Sequence, residues 1–196
     1  MKKEEKSRKL LHAVSGTVIP LAILFLPHFT VCLGLGIATI FYVSVEILRL
    51  NFSGFQKIFN KFFGISLRKE EEKKLTGATW ILFSALLCLL FFKKETAFIV
   101  INLSIWGDAV ATIAGIKLGR VKIGRKTLEG SVSCFALCVI LLIFVYPILL
   151  QAEFSSFFII VVALSITILE IVSDFLPLDD NLVIPIITGI IISLLF

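Results

Sequence analysis

The sequence has no lysine or arginine after Lys126, although nineteen precede or include that residue. These cations form short clusters between apolar runs, an arrangement typical of membrane topology signals and lipid headgroup contacts. The formal net charge of +5 therefore does not indicate a nucleic-acid partner, and we expect none. The four cysteines have no CxxC spacing and no histidine cluster beside them. This argues against a thiolate metal site, and we expect small buried side chains.

Apolar residues, in contrast, are in excess. They make up 58% of the chain, with a mean hydropathy of +1.04, whereas about 45–50% is usual in soluble domains. The 196 residues are predicted to form a single polytopic membrane catalytic domain, 1–196, in which the bilayer replaces a large soluble core. Basic residues precede the first apolar run, but no small-residue cleavage pattern follows Leu26, so we expect a retained first span.

Seven apolar runs have about the length of a membrane-crossing helix, roughly 17–25 residues, the last being the shortest. They are 10–27, 29–48, 75–92, 96–117, 131–150, 155–175 and 182–196. The predicted fold is an all-α integral membrane protein, a bundle of about seven transmembrane helices. Between spans 2 and 3, four phenylalanines share one helical face and predict an amphipathic helix in the inner interface. They are Phe55, Phe59, Phe62 and Phe63.

The distribution of basic residues orients the bundle. With a cytoplasmic N-terminus, all lysines and arginines except Lys93 and Lys94 fall on the inner side, as the positive-inside rule requires. The unusual polar residues then gather at the inner face, although the acids, His12 and Asn181 played no part in the orientation. We therefore expect a cell-membrane protein with a cytoplasmic active site. These residues are Arg8, Lys9, His12, Glu46, Arg49, Asp108, Glu170, Asp174, Asp179, Asp180 and Asn181, with the loop 117–130.

Asp108 is an acid inside an apolar run. An ionisable side chain is costly in hydrocarbon, so it is a functional candidate by default. Small residues recur every four positions around it, a ladder that is typical of close helix packing. The same ladder would also let a nucleotide approach the backbone closely. We call this set the small-residue ladder: Gly107, Ala111, Gly115 and Gly119.

A basic, glycine-rich loop follows the ladder and has the groups that a triphosphate needs. The segment 119–127 is one residue away from a P-loop, because Arg125 intrudes before Lys126. It also joins two membrane spans, so a Walker fold is rejected. A purely topological loop is the alternative, but orientation does not require the carboxylate of Glu129. The nucleotide-binding candidates here are Gly115, Gly119, Lys122, Arg125, Lys126, Thr127 and Gly130, beside the amides of span 5.

Asp179, Asp180 and Asn181 lie in a loop without cations. Such oxygen ligands suit Mg²⁺, which takes one or two carboxylates together with substrate phosphates. The predicted metal ligands are Asp108, Asp180 and Asn181. A helix N-cap by Asp180 or Asn181 is the alternative. Glu46 and Arg49, three residues apart, are either further site residues or a structural ion pair.

Together these motifs resemble the CTP-dependent polyprenol kinase family, which includes dolichol kinase, phytol kinase and CTP-using diacylglycerol kinase. The resemblance implies transfer of the γ-phosphate of CTP to a membrane alcohol with Mg²⁺. It also places an essential basic pair at Arg8 and Lys9, an acid at Asp108 and a helix glycine at Gly115. The segment that begins at Lys126 is closer to the dolichol kinase form. The motifs are Arg8-Lys9-x-x-His12, Gly107-Asp108-x-x-Ala111-x-x-x-Gly115-x-x-x-Gly119, Lys126-Thr-x-Glu129-Gly130 and Asp180-Asn181-x-x-x-Pro185.

The predicted function is phosphorylation of a dolichol-type polyprenol by CTP at the cytoplasmic leaflet. Lys122, Arg125 and Lys126 would hold the triphosphate while Arg8 and Lys9 close over it. The predicted catalytic residues are Asp108 and Lys126, with Glu129 or Glu170 as acceptor of the hydroxyl proton.

Other functions remain open. Diacylglycerol, phytol or geranylgeraniol are alternative acceptors for the same chemistry. A CDP-lipid synthase would use similar parts and release pyrophosphate instead of CDP. A transporter or flippase would explain intramembrane acids as an ion pathway, but its acids would be spread over the membrane depth.

Overall fold

The computed structural model describes residues 2–63, 67 and 69–195, without the side chains of 2–8, 63, 69, 70 and 174. This part of the chain is helical almost throughout, with one short hairpin. Its elements are α1 (Lys2–Gly16), α2 (Val18–Phe25), α3 (His28–Asn51), α4 (Ser53–Phe63), a 3₁₀ turn (Lys69–Lys73), α5 (Gly77–Phe91), α6 (Lys94–Leu118), β1 (Lys122–Ile123), β2 (Lys126–Thr127), α7 (Leu128–Ile140), a π-helical turn (Leu141–Val145), α8 (Tyr146–Leu150), α9 (Ser156–Val172), a 3₁₀ turn (Ser173–Phe175) and α10 (Asp180–Leu195).

Three of these helical stretches are long and apolar enough to cross a membrane. They are α3, α6 and the continuous stretch Leu128–Leu150. The other four predicted spans coincide with shorter apolar helices, Lys9–Phe25, Gly77–Phe91, Ser156–Val172 and Asp180–Leu195. The chain is thus a helical membrane protein, in which each predicted apolar run is a helix. Seven crossings and a cytoplasmic N-terminus stay predictions.

Helix α6 is the centre of the bundle. Its most apolar window is 61% buried, against 22% for α3 and for Leu128–Leu150. Helices α1, α2, α5, α7, α9 and α10 all pack against it. A helix that is apolar on every side is suited to such a position, and the polar side chain of Asp108 is carried into the bundle interior with it.

Helix α7 covers the small-residue ladder of α6. A Cβ on Gly115 would lie 2.6 Å from Thr127 Oγ1, and one on Gly130 would lie 2.5 Å from the Ala111 carbonyl oxygen. Real Cβ atoms do not approach other atoms so closely, so glycine is required at both positions. Close helix packing therefore accounts for the ladder, and its role in nucleotide binding stays a prediction.

A π-helical turn, Leu141–Val145, interrupts the helix between α7 and α8. Just beyond it, the Tyr146 hydroxyl donates a 2.7 Å hydrogen bond to Asn102 Oδ1 on α6. The Tyr146 ring also meets the ring of Phe98 edge to face, with centroids 5.5 Å apart. The apolar pattern of this run predicts a helix but does not reveal the wider turn.

The predicted amphipathic helix is present as α4. The chain then returns to the end of α3 and makes a polar contact there with Arg49. The Arg49 guanidinium pairs with Glu46 and donates to the carbonyl oxygens of Glu71, at 2.9 Å, and of Lys74. The position of α4 in the membrane interface stays a prediction.

Candidate functional site

Two buried ion pairs bring together four of the predicted site residues. The Lys9 ammonium pairs with Asp108 Oδ2, and their side chains are 9% and 11% exposed. Lys126 Nζ lies 2.9 Å from Glu170 Oε1, with side chains 17% and 4% exposed. Glu170 lies close enough to Asp108 and Lys9 for their charges to act on it. We call these four residues the inner charge cluster.

Each member of the inner charge cluster comes from a different element. Lys9 is on α1, Asp108 on α6, Lys126 on β2 and Glu170 near the end of α9. Lys126 Nζ also donates to the Glu170 carbonyl oxygen and to Ser173 Oγ, which lies 3.1 Å away. The site therefore exists only when the bundle and the hairpin are assembled.

One carboxylate oxygen of the cluster is unused. Glu170 Oε2 is buried and has no hydrogen-bond partner among the described residues, whereas Oε1 is paired with Lys126. A buried charged oxygen without a donor is costly, and such groups mark strain, catalysis or an absent ion or water. The Glu170 carboxylate can thus accept a proton or a cation.

The predicted phosphate-binding loop is a two-stranded hairpin, which the sequence interpretation missed. Lys122 pairs with Thr127 and Ile123 with Lys126 across the strands, and Gly124 turns with φ of 61°. Because successive strand residues point to opposite faces, Lys122 and Lys126 lie on opposite faces of the hairpin. Lys126 enters the cluster, whereas Lys122 is exposed. The sequence signal for this hairpin is Gly124, which lies between the pairs Lys122-Ile123 and Lys126-Thr127.

Glu129 belongs to the base of the hairpin. Its carboxylate accepts a hydrogen bond from the Val121 amide at 3.2 Å. Thr127 ends the hairpin and caps α7, because its Oγ1 accepts from the Gly130 amide, also at 3.2 Å. In this structure these contacts fix the shape of the loop. Arg125 occupies the exposed turn.

The acids at the start of α10 form a helix cap. Asp179 Oδ1 accepts from the Asn181 amide at 3.0 Å and from its side chain at 2.7 Å. The capping alternative is thus realised, with Asp179 as the main acceptor in place of Asp180 or Asn181. Among the described residues, no group of three His, Cys, Asp or Glu side chains is arranged to hold a metal ion. The magnesium site formed by Asp108, Asp180 and Asn181 stays a prediction.

His12 and Asn181 both lie close to Gly77 at the start of α5. A Cβ on Gly77 would lie 3.1 Å from Asn181 Nδ2 and 3.8 Å from His12 Cε1. The Gly77 amide itself donates to Glu71 Oε1 at 2.9 Å. His12 is one helical turn from Lys9, so this contact lies beside the inner charge cluster. The side chain of Arg8 lies outside the described residues.

Glu46 and Arg49 form the structural ion pair that the sequence left as one alternative. Arg49 Nε donates to Glu46 Oε2 at 2.8 Å, and both side chains are nearly fully buried. Glu46 Oε1 accepts from the Thr76 hydroxyl at 2.7 Å. We call this pair, with its backbone contacts to 71–76, the Glu46–Arg49 anchor.

Two cavities of about 160 and 170 Å³ adjoin each other where α6 begins. Both are lined by Glu95 and Leu150, and neither includes a residue of the inner charge cluster.

The fold and the cluster define a class, namely a helical membrane protein with a buried, charged site built from distant segments. An uncharacterized protein of Rickettsia prowazekii is 29% identical over 185 residues, covering 92% of this chain and 89% of that protein. CTP-dependent diacylglycerol kinase 1 of Saccharomyces cerevisiae is 29% identical over 142 residues, covering 70% of the chain and 49% of the kinase. Phytol kinase 1, chloroplastic, of Arabidopsis thaliana is 30% identical over 196 residues, covering 93% of the chain and 64% of that kinase.

The resemblance to the CTP-dependent polyprenol kinase family is thus confirmed by relatives that are 25–30% identical and carry diacylglycerol kinase or phytol kinase names. The chain spans about half the length of the Saccharomyces kinase and under two thirds of the phytol kinase. No family model matches the chain. No solved structure matches it either.

Proposed function

We propose that this protein is a CTP-dependent lipid kinase that transfers the γ-phosphate of CTP to the hydroxyl of a membrane lipid. The observation that carries the proposal is the inner charge cluster, in which two ammonium groups and two carboxylates from four elements meet in a buried place. Phosphoryl transfer depends mainly on positioning and on neutralising phosphate charge. The kinase names of the relatives support the same activity.

The ammonium groups of Lys9 and Lys126 are the phosphate ligands of this proposal. Both are held in place by carboxylates, so their positions are set before the nucleotide arrives. Exchanging a carboxylate for a phosphate oxygen preserves the charge-assisted hydrogen bond of each lysine. The exposed Lys122 and Arg125 would act at the edge of the site, where they attract the nucleotide to the hairpin.

Magnesium fits the Asp108 side of the cluster. The Asp108 carboxylate is buried beside Lys9, one of the two proposed phosphate ligands. One or two carboxylates with substrate phosphates are the usual ligands of Mg²⁺. The ion would neutralise phosphate charge and polarise the transferred group. Asp180 and Asn181, from the cap of α10, stand as further candidate ligands.

For the proton acceptor, the geometry favours Glu170 over Glu129. Glu129 accepts hydrogen bonds from the Val121 amide through both oxygens. Glu170 lies within the cluster, and its Oε2 has no hydrogen-bond partner in the part of the chain that the structure describes. A general base must reach the reacting hydroxyl, and Glu170 meets that requirement if the lipid hydroxyl approaches the cluster.

The acceptor is proposed to be a dolichol-type polyprenol whose hydroxyl lies at the cytoplasmic leaflet. The motif that begins at Lys126 supports the polyprenol, whereas the names of the relatives supply diacylglycerol and phytol as rival acceptors. The lipid hydroxyl is assigned to the cytoplasmic leaflet because the basic residues cluster at the end of the bundle that contains the inner charge cluster.

The test is an assay of purified protein in nanodiscs with CTP labelled either on the α- or on the γ-phosphate. Polyprenol, diacylglycerol and phytol are offered separately, and ATP replaces CTP in a parallel series. A kinase moves the γ-label into one lipid and releases CDP. Release of pyrophosphate with α-label in the lipid would identify a CDP-lipid synthase. Absence of lipid labelling with every acceptor would overturn the kinase proposal.

A further inference from the structure

The Lys126 ammonium is held by the last turn of α9 and the residue that follows it. Its Nζ lies 2.9 Å from Glu170 Oε1, donates to the Glu170 carbonyl oxygen, and lies 3.1 Å from Ser173 Oγ. An ammonium group has three N–H donors, so these three acceptors are enough to use all of them. A phosphate oxygen can therefore gain a direct hydrogen bond from Lys126 only by displacing one of the three.

Two of these acceptors belong to Glu170, and both are costly to displace. The Glu170 side chain is 4% exposed, and its Oε2 already has no hydrogen-bond partner among the described residues. Displacing Oε1 would leave a buried carboxylate with no described donor on either oxygen, which is strongly unfavourable. The Glu170 carbonyl oxygen lies at the C-terminal end of α9, where the helix dipole also favours a nearby cation.

The Ser173 hydroxyl is the acceptor that is lost at the least cost. It is neutral, and it donates its own hydrogen to the Glu170 carbonyl oxygen at 2.8 Å. When Lys126 turns away, Ser173 keeps that bond, so no buried donor is left without an acceptor. Charged acceptors bind an ammonium group more strongly than neutral ones. A phosphate oxygen therefore displaces the hydroxyl in preference to the carboxylate.

Resting on the kinase function proposed above, we infer that Ser173 is a positioning residue whose hydroxyl occupies the place on Lys126 that a triphosphate oxygen takes. Before the nucleotide binds, the hydroxyl accepts the third N–H of the lysine and keeps it directed toward that place. When the nucleotide binds, the hydroxyl gives way and Glu170 continues to hold the ammonium. At Lys126 the contact exchanged for phosphate is thus the hydroxyl, and no covalent bond forms or breaks.

The test is Ser173→Ala, which removes the competing acceptor and leaves Lys126 and Glu170 in place. Binding of a non-hydrolysable β,γ-analogue of CTP to protein in nanodiscs is measured by calorimetry, without turnover. We expect its dissociation constant to fall about 3–10-fold, the usual size of one hydrogen bond. The analogue should also raise the melting temperature of the variant by more than that of the unsubstituted protein, because tighter binding stabilises the fold more. A serine that only supports the structure would give the opposite sign, namely weaker binding.

Further variants isolate the hydroxyl. Ser173→Cys keeps a side chain of similar size, but a thiol is a weak acceptor, so its effect should have the same sign and be smaller. Ser165→Ala is the matched control, since that hydroxyl, earlier on α9, donates to the Val161 carbonyl oxygen at 2.7 Å, and the affinity should not change. In a Lys126→Met background, Ser173→Ala should not change the affinity, because the hydroxyl acts only through the lysine.

The outcomes separate this inference from the kinase proposal. Unchanged or weaker binding of the analogue in Ser173→Ala and Ser173→Cys would overturn the role of Ser173 and leave the kinase intact. A gain that persists without Lys126 would also overturn it. Phosphatidate added to the nanodiscs without nucleotide tests a lipid phosphate as the other source of the oxygen, and a gain confined to phosphatidate would overturn the nucleotide assignment. Failure of the analogue to bind the unsubstituted protein, with or without Mg²⁺, would contradict the kinase proposal itself.

Discussion

The molecule contains two buried ion-pair systems, and they are built in opposite ways. The Glu46–Arg49 anchor joins residues three positions apart on one helix, and the arginine spreads its remaining hydrogen bonds over backbone carbonyl oxygens. The inner charge cluster joins residues 99 and 44 positions apart in the chain. It leaves one carboxylate oxygen without a described partner.

This difference distinguishes an ion pair that stabilises the fold from ion pairs that can bind a ligand. A buried pair whose donors and acceptors are all used is committed to holding a segment in place, here the chain between 71 and 76. A buried ion pair that joins distant elements and leaves one acceptor oxygen without a described donor can bind a ligand through that oxygen. Incompletely satisfied polar groups in a native structure call for such an explanation.

The largest effect is expected at Asp108. Asp108→Asn preserves the shape of the side chain and removes its charge, so lipid phosphorylation should fall by at least about 10²-fold, as for loss of one electrostatic catalytic group. Some loss of thermal stability in detergent is expected, because the buried Lys9 ammonium loses its partner, but the variant should remain folded at the assay temperature. The measurement is turnover with γ-labelled CTP beside a melting curve. Retained turnover in a folded variant would remove the distinction between the two ion-pair systems.

Arg49→Met should produce the reverse pattern. It leaves the Glu46 carboxylate buried without its cation, which should lower the free energy of unfolding by about 3–5 kcal/mol. Activity per folded molecule should persist at a permissive temperature, since no member of the inner charge cluster is touched. Denaturant unfolding monitored by circular dichroism checks the first statement. A stable but inactive variant would show that the anchor is part of the site.

Gly119→Ala tests how closely the end of α6 packs against the hairpin. The added Cβ would lie 2.6 Å from Thr127 Cγ2 on the hairpin, and such overpacking costs about 1–3 kcal/mol. Gly34→Ala is the matched control, because a Cβ there meets nothing within 4 Å. Equal melting temperatures for the two variants would contradict the close approach of α6 and the hairpin.

The smallest effect is expected at Lys122. This exposed lysine lies on the hairpin face opposite to Lys126, and exposed charge pairs contribute about 0–1 kcal/mol. Lys122→Met should therefore raise the KM for CTP by at most about fivefold, whereas Lys126→Met should be as damaging as Asp108→Asn. Equal losses of activity in Lys122→Met and Lys126→Met would indicate that both lysines bind the triphosphate.

Hydrophobic patterning predicted the helices well, because each apolar run is long enough to form a helix and is bounded by charged or turn residues. All four members of the inner charge cluster were also among the sequence candidates, on the evidence of the basic loop, the buried acid and the family resemblance. It did not predict their pairing, since the partners are set by how α1, α9 and the hairpin pack on α6. The backbone carbonyl contacts of Arg49 were equally hidden, because they depend on the path of the chain after α4.

The hairpin and the π-helical turn were missed for another reason. Each is only a few residues long, so neither produces a periodic pattern. The two-residue turn at Gly124 was read as phosphate-binding chemistry, although a tight turn with positive φ also favours glycine. The acids at the start of α10 allowed both a metal site and a helix cap, because capping uses the same residue types. The structure shows the cap by Asp179, and the metal site stays a prediction.

The wider turn at Leu141–Val145 has a consequence for the whole of this span. Gly130, Cys134, Cys138, Leu142 and Tyr146 are all buried at intervals of four. In a regular α-helix such a series drifts around the axis by about 40° per step, and its last members would rotate toward lipid. Local underwinding by one π-turn slows the drift. One continuous seam thus faces α6 from the glycine beside the hairpin to the tyrosine that bonds Asn102.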